Sequence, residues 1–305
     1  MNALDKKIGT VLLVDDDPII RGMLQIELEE RYVTYTAESA ERALEVAGNH
    51  SIDLIISDIN MPGTSGYELL AQVRLKNPRT KTALITGYDV DNYIRLAKQH
   101  NISNIIPKST PFNFDEFNAV VQNLVTEQIF GLSRYMLPDM VLVQTFKVLG
   151  SADIRPVQDS ILREISRFHV PDVQVRVLLE ELITNAIYHA PVDKDGNKKY
   201  EKLSPVVLEA AERVEISVAH DNEKYGVAVL DSSGKLTKDR VLYAIDRHIC
   251  GEGLLDENGR GLHISRIYAD RLIVNIDRNK KTEVIFMNYF DEKYKSSKPL
   301  YINEI

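Results

Sequence analysis

Three consecutive carboxylates, Asp15, Asp16 and Asp17, follow the apolar run 11–14, and a fourth, Asp58, follows the run 54–56. Carboxylates gathered at the ends of neighbouring strands repel and raise one another's pKa unless a cation neutralises them. Mg²⁺ suits such a place, because it takes one or two carboxylates and keeps waters for a phosphate-bearing substrate. Thr86 closes the run 83–85 and Lys108 follows 102–106, adding a hydroxyl and a cation. The set is suited to accepting a phosphoryl group on a carboxylate and stabilising its spread charge. The triplet alone reads equally as an acidic turn, with Asp17 capping a helix that starts at Pro18.

A second constellation lies further along. Glu181 and Asn185 are four residues apart and share one face of a predicted helix over 173–189, whose apolar positions are Leu178, Leu179, Leu182, Ile183 and Ile187. Asp231 ends a strand-like run and is followed by Ser232-Ser233-Gly234. Gly259-Arg260-Gly261 precedes a helical pattern, and glycines there let backbone N–H groups approach a phosphate. Each signal has a bland alternative, a surface Glu–Asn pair or an ordinary loop. The order Glu181/Asn185, Asp231, Gly259/Gly261, Thr282 is harder to reach by chance.

The elements that must hold these residues fall into two halves. Over 10–127, apolar runs at 11–14, 32–36, 54–56, 83–85 and 102–106 alternate with amphipathic stretches at 19–30, 40–47 and 67–75. That alternation predicts a doubly wound α/β fold with a five-stranded parallel sheet covered on both faces. A long helical pattern over 115–136 leads to Leu137-Pro138, the seam. Beyond it, a strand at 141–148, helices at 156–168 and 173–189, and two hairpins, 214–230 and 271–288, predict a two-layer α/β sandwich with a mixed, mainly antiparallel sheet. The polar segment 193–202 reads as a loop or insertion. The expected division is 8–128, a helical linker 129–138, a second domain 139–290 and a C-terminal tail 291–305.

Composition limits the rest. The 305 residues carry a formal charge of −8, of which 12 Lys/Arg against 18 Asp/Glu in residues 1–128 supply most. No apolar run reaches the roughly 18 residues of a membrane span, and 1–9 lacks a secretory pattern. Cys250 is the single cysteine, and none of the seven histidines has zinc-ligand spacing. These point to a cytoplasmic chain with no membrane anchor and no direct nucleic-acid binding.

Residues 10–127 resemble the receiver domain of two-component response regulators, on the stretches Val-Leu-Leu-Val-Asp-Asp-Asp-Pro18, Leu-Ile-Ile-Ser-Asp-Ile-Asn-Met-Pro-Gly63, Leu-Ile-Thr-Gly87 and Lys108. The resemblance implies phosphorylation of Asp58, Mg²⁺ on Asp15, Asp16, Asp58 and the backbone carbonyl of Asn60, and contacts from Thr86 and Lys108 to the phosphoryl group. Its partner would be a sensor histidine kinase or phosphotransfer protein. Ile105 stands where the family has its switch aromatic.

Residues 139–290 resemble the histidine-kinase-like ATPases, most closely the anti-sigma-factor serine-kinase branch, through Glu-Leu-Ile-Thr-Asn-Ala-Ile-Tyr-His189 and Gly-Arg-Gly-Leu-His263. This implies ATP with Mg²⁺: Asn185 on the metal, Asp231 on the adenine amino group, Gly259 and Gly261 at the phosphates, Thr282 near the base, and Glu181 as general base. The activity implied is an ATP-dependent protein serine/threonine kinase acting on a sigma factor or anti-sigma antagonist, with a homodimer as one assembly. Two family glycines after Asp231 are here Ser233 and Lys235, so a pseudo-ATPase that only sequesters its partner is the rival. A hybrid histidine kinase is a third, but residues 128–168 contain no phosphoaccepting histidine.

Overall fold

The computed structural model describes residues 7–168, 171–249, 260–295 and 297–305. They form two compact units, Met1–Ile129 and Phe130–Ile305. In the first, β1 (Thr10–Val14), β2 (Val33–Ala37), β3 (Leu54–Asp58), β4 (Lys81–Thr86) and β5 (Asn104–Pro107) lie in the order β2-β1-β3-β4-β5, every neighbouring pair parallel. The helices are α1 (Pro18–Glu29), α2 (Ala40–Asn49), α3 (Gly66–Lys76), α4 (Ile94–Gln99) and α5 (Phe114–Thr126). Strands that are apolar without alternation, such as β3 with all five residues buried, require cover on both faces, and helices supply it. Parallel strands bring their carboxyl ends to one edge of the sheet, and so Asp15, Asp58, Thr86 and Lys108 arrive together.

Two local features shape that edge. Asp17 caps α1, its carboxylate accepting from the amides of Ile19 and Ile20, with Pro18 at the first helical position. Gly66 opens α3 so close to β3 that a Cβ there would lie 2.0 Å from the carbonyl oxygen of Asp58.

The predicted helix over 115–136 is shorter. It stops at Thr126, whose hydroxyl donates to the Gln122 carbonyl, and Glu127 takes a left-handed conformation at φ 56°. The expected helical linker is a strap, with a single 3-10 turn at Leu132–Arg134. It leaves the helix because the second unit offers it better partners. Gly131 N donates to both carboxylate oxygens of the buried Glu283 at 3.1 and 3.0 Å. Tyr135 donates to Asn275 Oδ1 at 2.9 Å, and Leu137 N donates to Asp221 Oδ2 at 2.9 Å. The Lys281 ammonium sits 4.0 Å over the Phe130 ring.

The second unit carries β6 (Val141–Val148), α6 (Ile154–Ile165), α7 (Asp172–Thr184), β7 (Val214–His220), β8 (Lys224–Asp231), α8 (Lys238–Ile249), α9 (Arg260–Tyr268), β9 (Arg271–Asp277), β10 (Lys281–Tyr289) and β11 (Leu300–Glu304). Its strands run β11-β9-β10-β8-β7-β6, antiparallel except for β11 on β9. The expected tail 291–305 therefore contributes a strand. Helix α7 packs on α6 and α9, and its Leu178, Leu182 and Ile183 share one core with Ile216, Val227, Val229 and Phe286 of the sheet. The opposite face of the sheet receives the strap: Leu132 and Met136 lie 3.1 and 3.2 Å from where a side chain on Gly226 would begin.

Candidate functional site

At the strand ends of the first unit, Lys108 Nζ lies 2.5 Å from Asp58 Oδ1 and 2.7 Å from Asp15 Oδ2. Burial alone would depress the lysine, but its bonds to the two carboxylates outweigh this and hold it above its ordinary value. Asp15 is 2% exposed, and burial pushes its carboxyl up against the pull of Lys108. Asn60 N donates to Asp58 Oδ2 at 2.7 Å, while the Asn60 side chain donates to the Tyr93 hydroxyl at 2.8 Å. Thr86 is buried, its hydroxyl accepts from Tyr88 N at 3.1 Å, and its carbonyl accepts from Lys108 N at 2.6 Å.

The structure thus brings Asp15, Asp58 and Lys108 into contact, with Asn60 bonded to Asp58. Asp16 is exposed, and among the described residues no three His, Cys, Asp or Glu side chains cluster closely enough to hold a metal. The donors do fit a hard cation. They are oxygens throughout, and Asp15 Oδ2 is enclosed with no partner in hydrogen-bond geometry, only the lysine charge beside it. Ile105 is fully buried, so Tyr93 is the aromatic tied to the site, with its carbonyl accepting from the buried Tyr67 hydroxyl at 3.2 Å. Tyr93 was one of two tyrosines, with Tyr88, that the sequence offered in place of the missing aromatic, and it ends the 3-10 turn Val90–Tyr93.

In the second unit, Glu181 ends near the last turn of α7 and Asn185 begins a π-helical turn, Asn185–His189. A Cβ on Gly261, in the first turn of α9, would lie 2.6 Å from Glu181 Oε2 and 3.0 Å from Asn185 Nδ2. The three expected residues therefore meet at one place, and only glycine leaves it open. Asp231 and Thr282 are register partners across β8 and β10. The Thr282 hydroxyl is buried without a hydrogen-bond partner. Asp231 Oδ1 accepts from Ser233 N at 2.9 Å and Ser233 Oγ at 2.5 Å, and burial pushes its carboxyl up in spite of them. Gly234, at φ 56°, would place a Cβ 2.3 Å from the Asp277 carbonyl, so the glycine between Ser233 and Lys235 is required by the hairpin turn beside it.

An open cleft of about 200 Å³ ends at Asp231, Ser233 and Lys235 and is walled by Val192, Ala211 and Glu212. Val192 borders, and Ala211 and Glu212 belong to, the long connection 193–213, of which the polar segment 193–202 is part and whose role the sequence leaves unread. Gly259 and Cys250 lie outside the described residues, as does His169. A cradle that a Cβ would fill, an amide and a carboxylate at its rim, and a buried hydroxyl lacking a partner beside Asp231 all fit a nucleotide carrying a cation.

Residues 11–122 match the response regulator receiver domain family. The DNA-binding transcriptional regulator NtrC of Escherichia coli K12 is 29% identical over 193 residues, covering 60% of this chain and 39% of that protein. The transcriptional regulatory protein MalR of Bacillus subtilis is 31% identical over 135 residues, 41% of this chain and 54% of the relative. A probable cyclic di-GMP phosphodiesterase of Vibrio cholerae is 24% identical over 258 residues, 81% of this chain and 56% of its own length. The chain thus spans between two fifths and three fifths of these relatives. Among solved structures, the Thermotoga maritima response regulator TrrA, in complex with Mg²⁺-BeF, is 40% identical over 38% of this chain and 98% of its own, with a TM-score of 0.35. The described residues contain no helix long and apolar enough to cross a membrane. The N-terminal unit of this chain is a two-component response regulator receiver domain.

Proposed function

We propose that the chain is a cytoplasmic response regulator in which Asp58 accepts a phosphoryl group and thereby controls an ATP-binding output of the anti-sigma, serine-kinase-like type. The observation that carries the receiver half is Lys108 bridging Asp15 and Asp58. A carboxylate oxygen of Asp58 attacks the phosphorus while the donor's bond to that phosphorus breaks and the donor leaves. Lys108 then exchanges part of its bond to Asp58 for a bond to the arriving phosphoryl oxygens, and the Thr86 hydroxyl offers them a donor. Asp15, Asp16, Asp58 and the Asn60 carbonyl would hold Mg²⁺, which would neutralise charge collecting at the phosphoryl group. The phosphodonor is a sensor histidine kinase or a phosphotransfer protein, the class of partner with which receiver domains interact.

The output reading rests on Gly261 meeting Glu181 and Asn185, with Asp231 facing Thr282 across two strands. Asn185 would hold Mg²⁺ and Gly261, with Gly259, the phosphates. Asp231 and Thr282 would take the base, and Glu181 would receive the proton of an attacking hydroxyl. The regulated partner is a protein, of the sigma-factor or antagonist kind. One observation favours the sequestering alternative: both Ser233 donors already occupy Asp231 Oδ1, which competes with a base.

Two experiments test this. Acetyl phosphate with Mg²⁺ is expected to add one phosphoryl group to the wild type and none to Asp58→Asn; equal labelling of both removes Asp58 from the account. Calorimetry with ATP is expected to show binding that weakens about ten- to a hundredfold in Asp231→Ala, the loss of one buried hydrogen-bond partner. Absence of ATP binding in the wild type refutes the ATPase reading and favours sequestration.

A further inference from the structure

The inserted segment between the π-helical turn and β7 is a built object. The Asp193 carboxylate gathers the amides of Asp195 and Asn197 at 2.9 and 2.8 Å. Tyr188, buried in the π turn, donates its hydroxyl to the Ser204 carbonyl at 2.9 Å and fastens the segment to the helix behind it. At the segment's end, three donors converge on one carboxylate. Glu212 Oε1 takes Lys199 Nζ at 2.6 Å, and Glu212 Oε2 takes the Tyr200 hydroxyl at 2.7 Å and Glu209 N at 3.0 Å. Lys199 also bonds Glu209 at 2.6 Å. The ion pair and the tyrosine outweigh desolvation and keep the Glu212 carboxyl below its ordinary range.

Glu212 lines the same cleft as Asp231, with Ala186, Ala190, Val192 and Ala211 in its apolar lining and Ser233 and Lys235 in its polar one. A carboxylate has about four acceptor sites. Tyr200 and Glu209 N use two on Oε2, and Lys199 uses one of the two on Oε1, so Oε1 retains one. The cleft therefore sets a partly apolar slot between two acidic residues, Glu212 from the insertion and Asp231 from the end of β8. Such a slot suits a base that presents an exocyclic amino group, and opposes one with a carbonyl oxygen in its place, which would face a carboxylate.

We propose that Glu212, held by Lys199 and Tyr200, is a specificity-determining residue of the nucleotide site, and that Lys199 is its positioning residue. This rests on the ATP reading above and assigns the insertion a part in it: the insertion supplies the second acidic wall that selects a 6-amino over a 6-oxo purine nucleotide. Losing a charged acceptor in favour of a neutral one changes a hydrogen bond by about fivefold in affinity.

The test is calorimetry of ATP and ITP on the full chain and on Lys199→Met, Lys199→Arg and Glu212→Gln. Wild type is expected to prefer ATP, and Glu212→Gln to narrow that preference about fivefold. Lys199→Met is expected to weaken ATP while Lys199→Arg restores it. A purely structural role for the clasp would weaken both nucleotides equally and leave their ratio unchanged, which overturns the proposal. Wild-type affinities in Glu212→Gln overturn it as well, with the ATP reading intact. Absence of ATP binding in the wild type overturns both. If Lys199→Met fails to fold, the nucleotide ratio in Glu212→Gln decides alone.

Discussion

Replacing Glu283 with alanine is expected to release the strap that opens the second unit. Glu283 is 4% exposed, and its carboxylate is the acceptor for Gly131 N and for Asn275 Nδ2 at 3.0 Å. Asn275 in turn accepts from Tyr135 and from Asn303 Nδ2, so one carboxylate anchors a network joining the strap to β9, β10 and β11. Its removal takes the acceptor from the half-buried Gly131 amide, at about 1–3 kcal/mol, and one acceptor from Asn275. Part of this is offset, because burial pushes the Glu283 carboxyl above its ordinary 4.5 and the variant no longer buries that charge. A net loss of about 1–2 kcal/mol follows. The local readout is native-state hydrogen exchange: the Gly131 amide should exchange at least about tenfold faster, while β8 amides away from the network change less. The pH dependence has a fixed sign. A raised folded-state pKa gives stability that is full below the unfolded value and lost as pH rises through the folded one, so the contribution of Glu283 should fade upward from about pH 4.5. The variant should lack that contribution, while the raised Asp231 and Asp270 and the lowered Asp221 and Glu212 keep their opposing slopes. Unchanged Gly131 exchange together with an unchanged slope would refute the reasoning.

Three further outcomes are expected. Gly261→Ala puts a methyl 2.6 Å from Glu181 Oε2 and should weaken ATP more than about tenfold in calorimetry; unaltered affinity would place the phosphates elsewhere. Gly66→Ala meets the Asp58 carbonyl at 2.0 Å and should destabilise the first unit by about 1–3 kcal/mol in urea melts, which equal midpoints would contradict. Lys108→Met removes the charge that opposes burial at Asp15, so the Asp15 carboxyl should rise further, and the loss of stability from Asp15 should begin at the same pH and extend to higher pH; NMR titration of Asp15 at the wild-type value would rule this out.

The receiver half was legible because its strands are uninterrupted apolar runs and its functional side chains end them. Parallel topology then does the gathering: Asp15, Asp58 and Lys108 are far apart in sequence and within one lysine's reach in space. Asp231 was legible as the end of an expected strand, but its pairing with Thr282 was not, because it joins two hairpins that the sequence presents separately. The strap was not. Residues 130–136 carry a helical pattern, and what overrides it is a buried carboxylate about 150 residues later, a partner no local window contains. The insertion was opaque for the opposite reason. Its charges look like a solvated loop, and only the closure of Lys199, Tyr200 and Glu212 turns them into a wall. β11 was read as tail because its five residues are few and distant from the strand they pair.

The central claim is that a phosphoryl group on Asp58 alters what the second unit binds. Its most direct measurement is the ATP affinity of the full chain, by calorimetry, with Asp58 phosphorylated and unphosphorylated, and with Asp58→Asn as the control that cannot be converted. The account predicts a difference of about five- to 150-fold between the two states of the wild type, the usual range of coupling between sites, and none in the control. The same ATP affinity in both states, on a chain verified to carry the phosphoryl group, would contradict it.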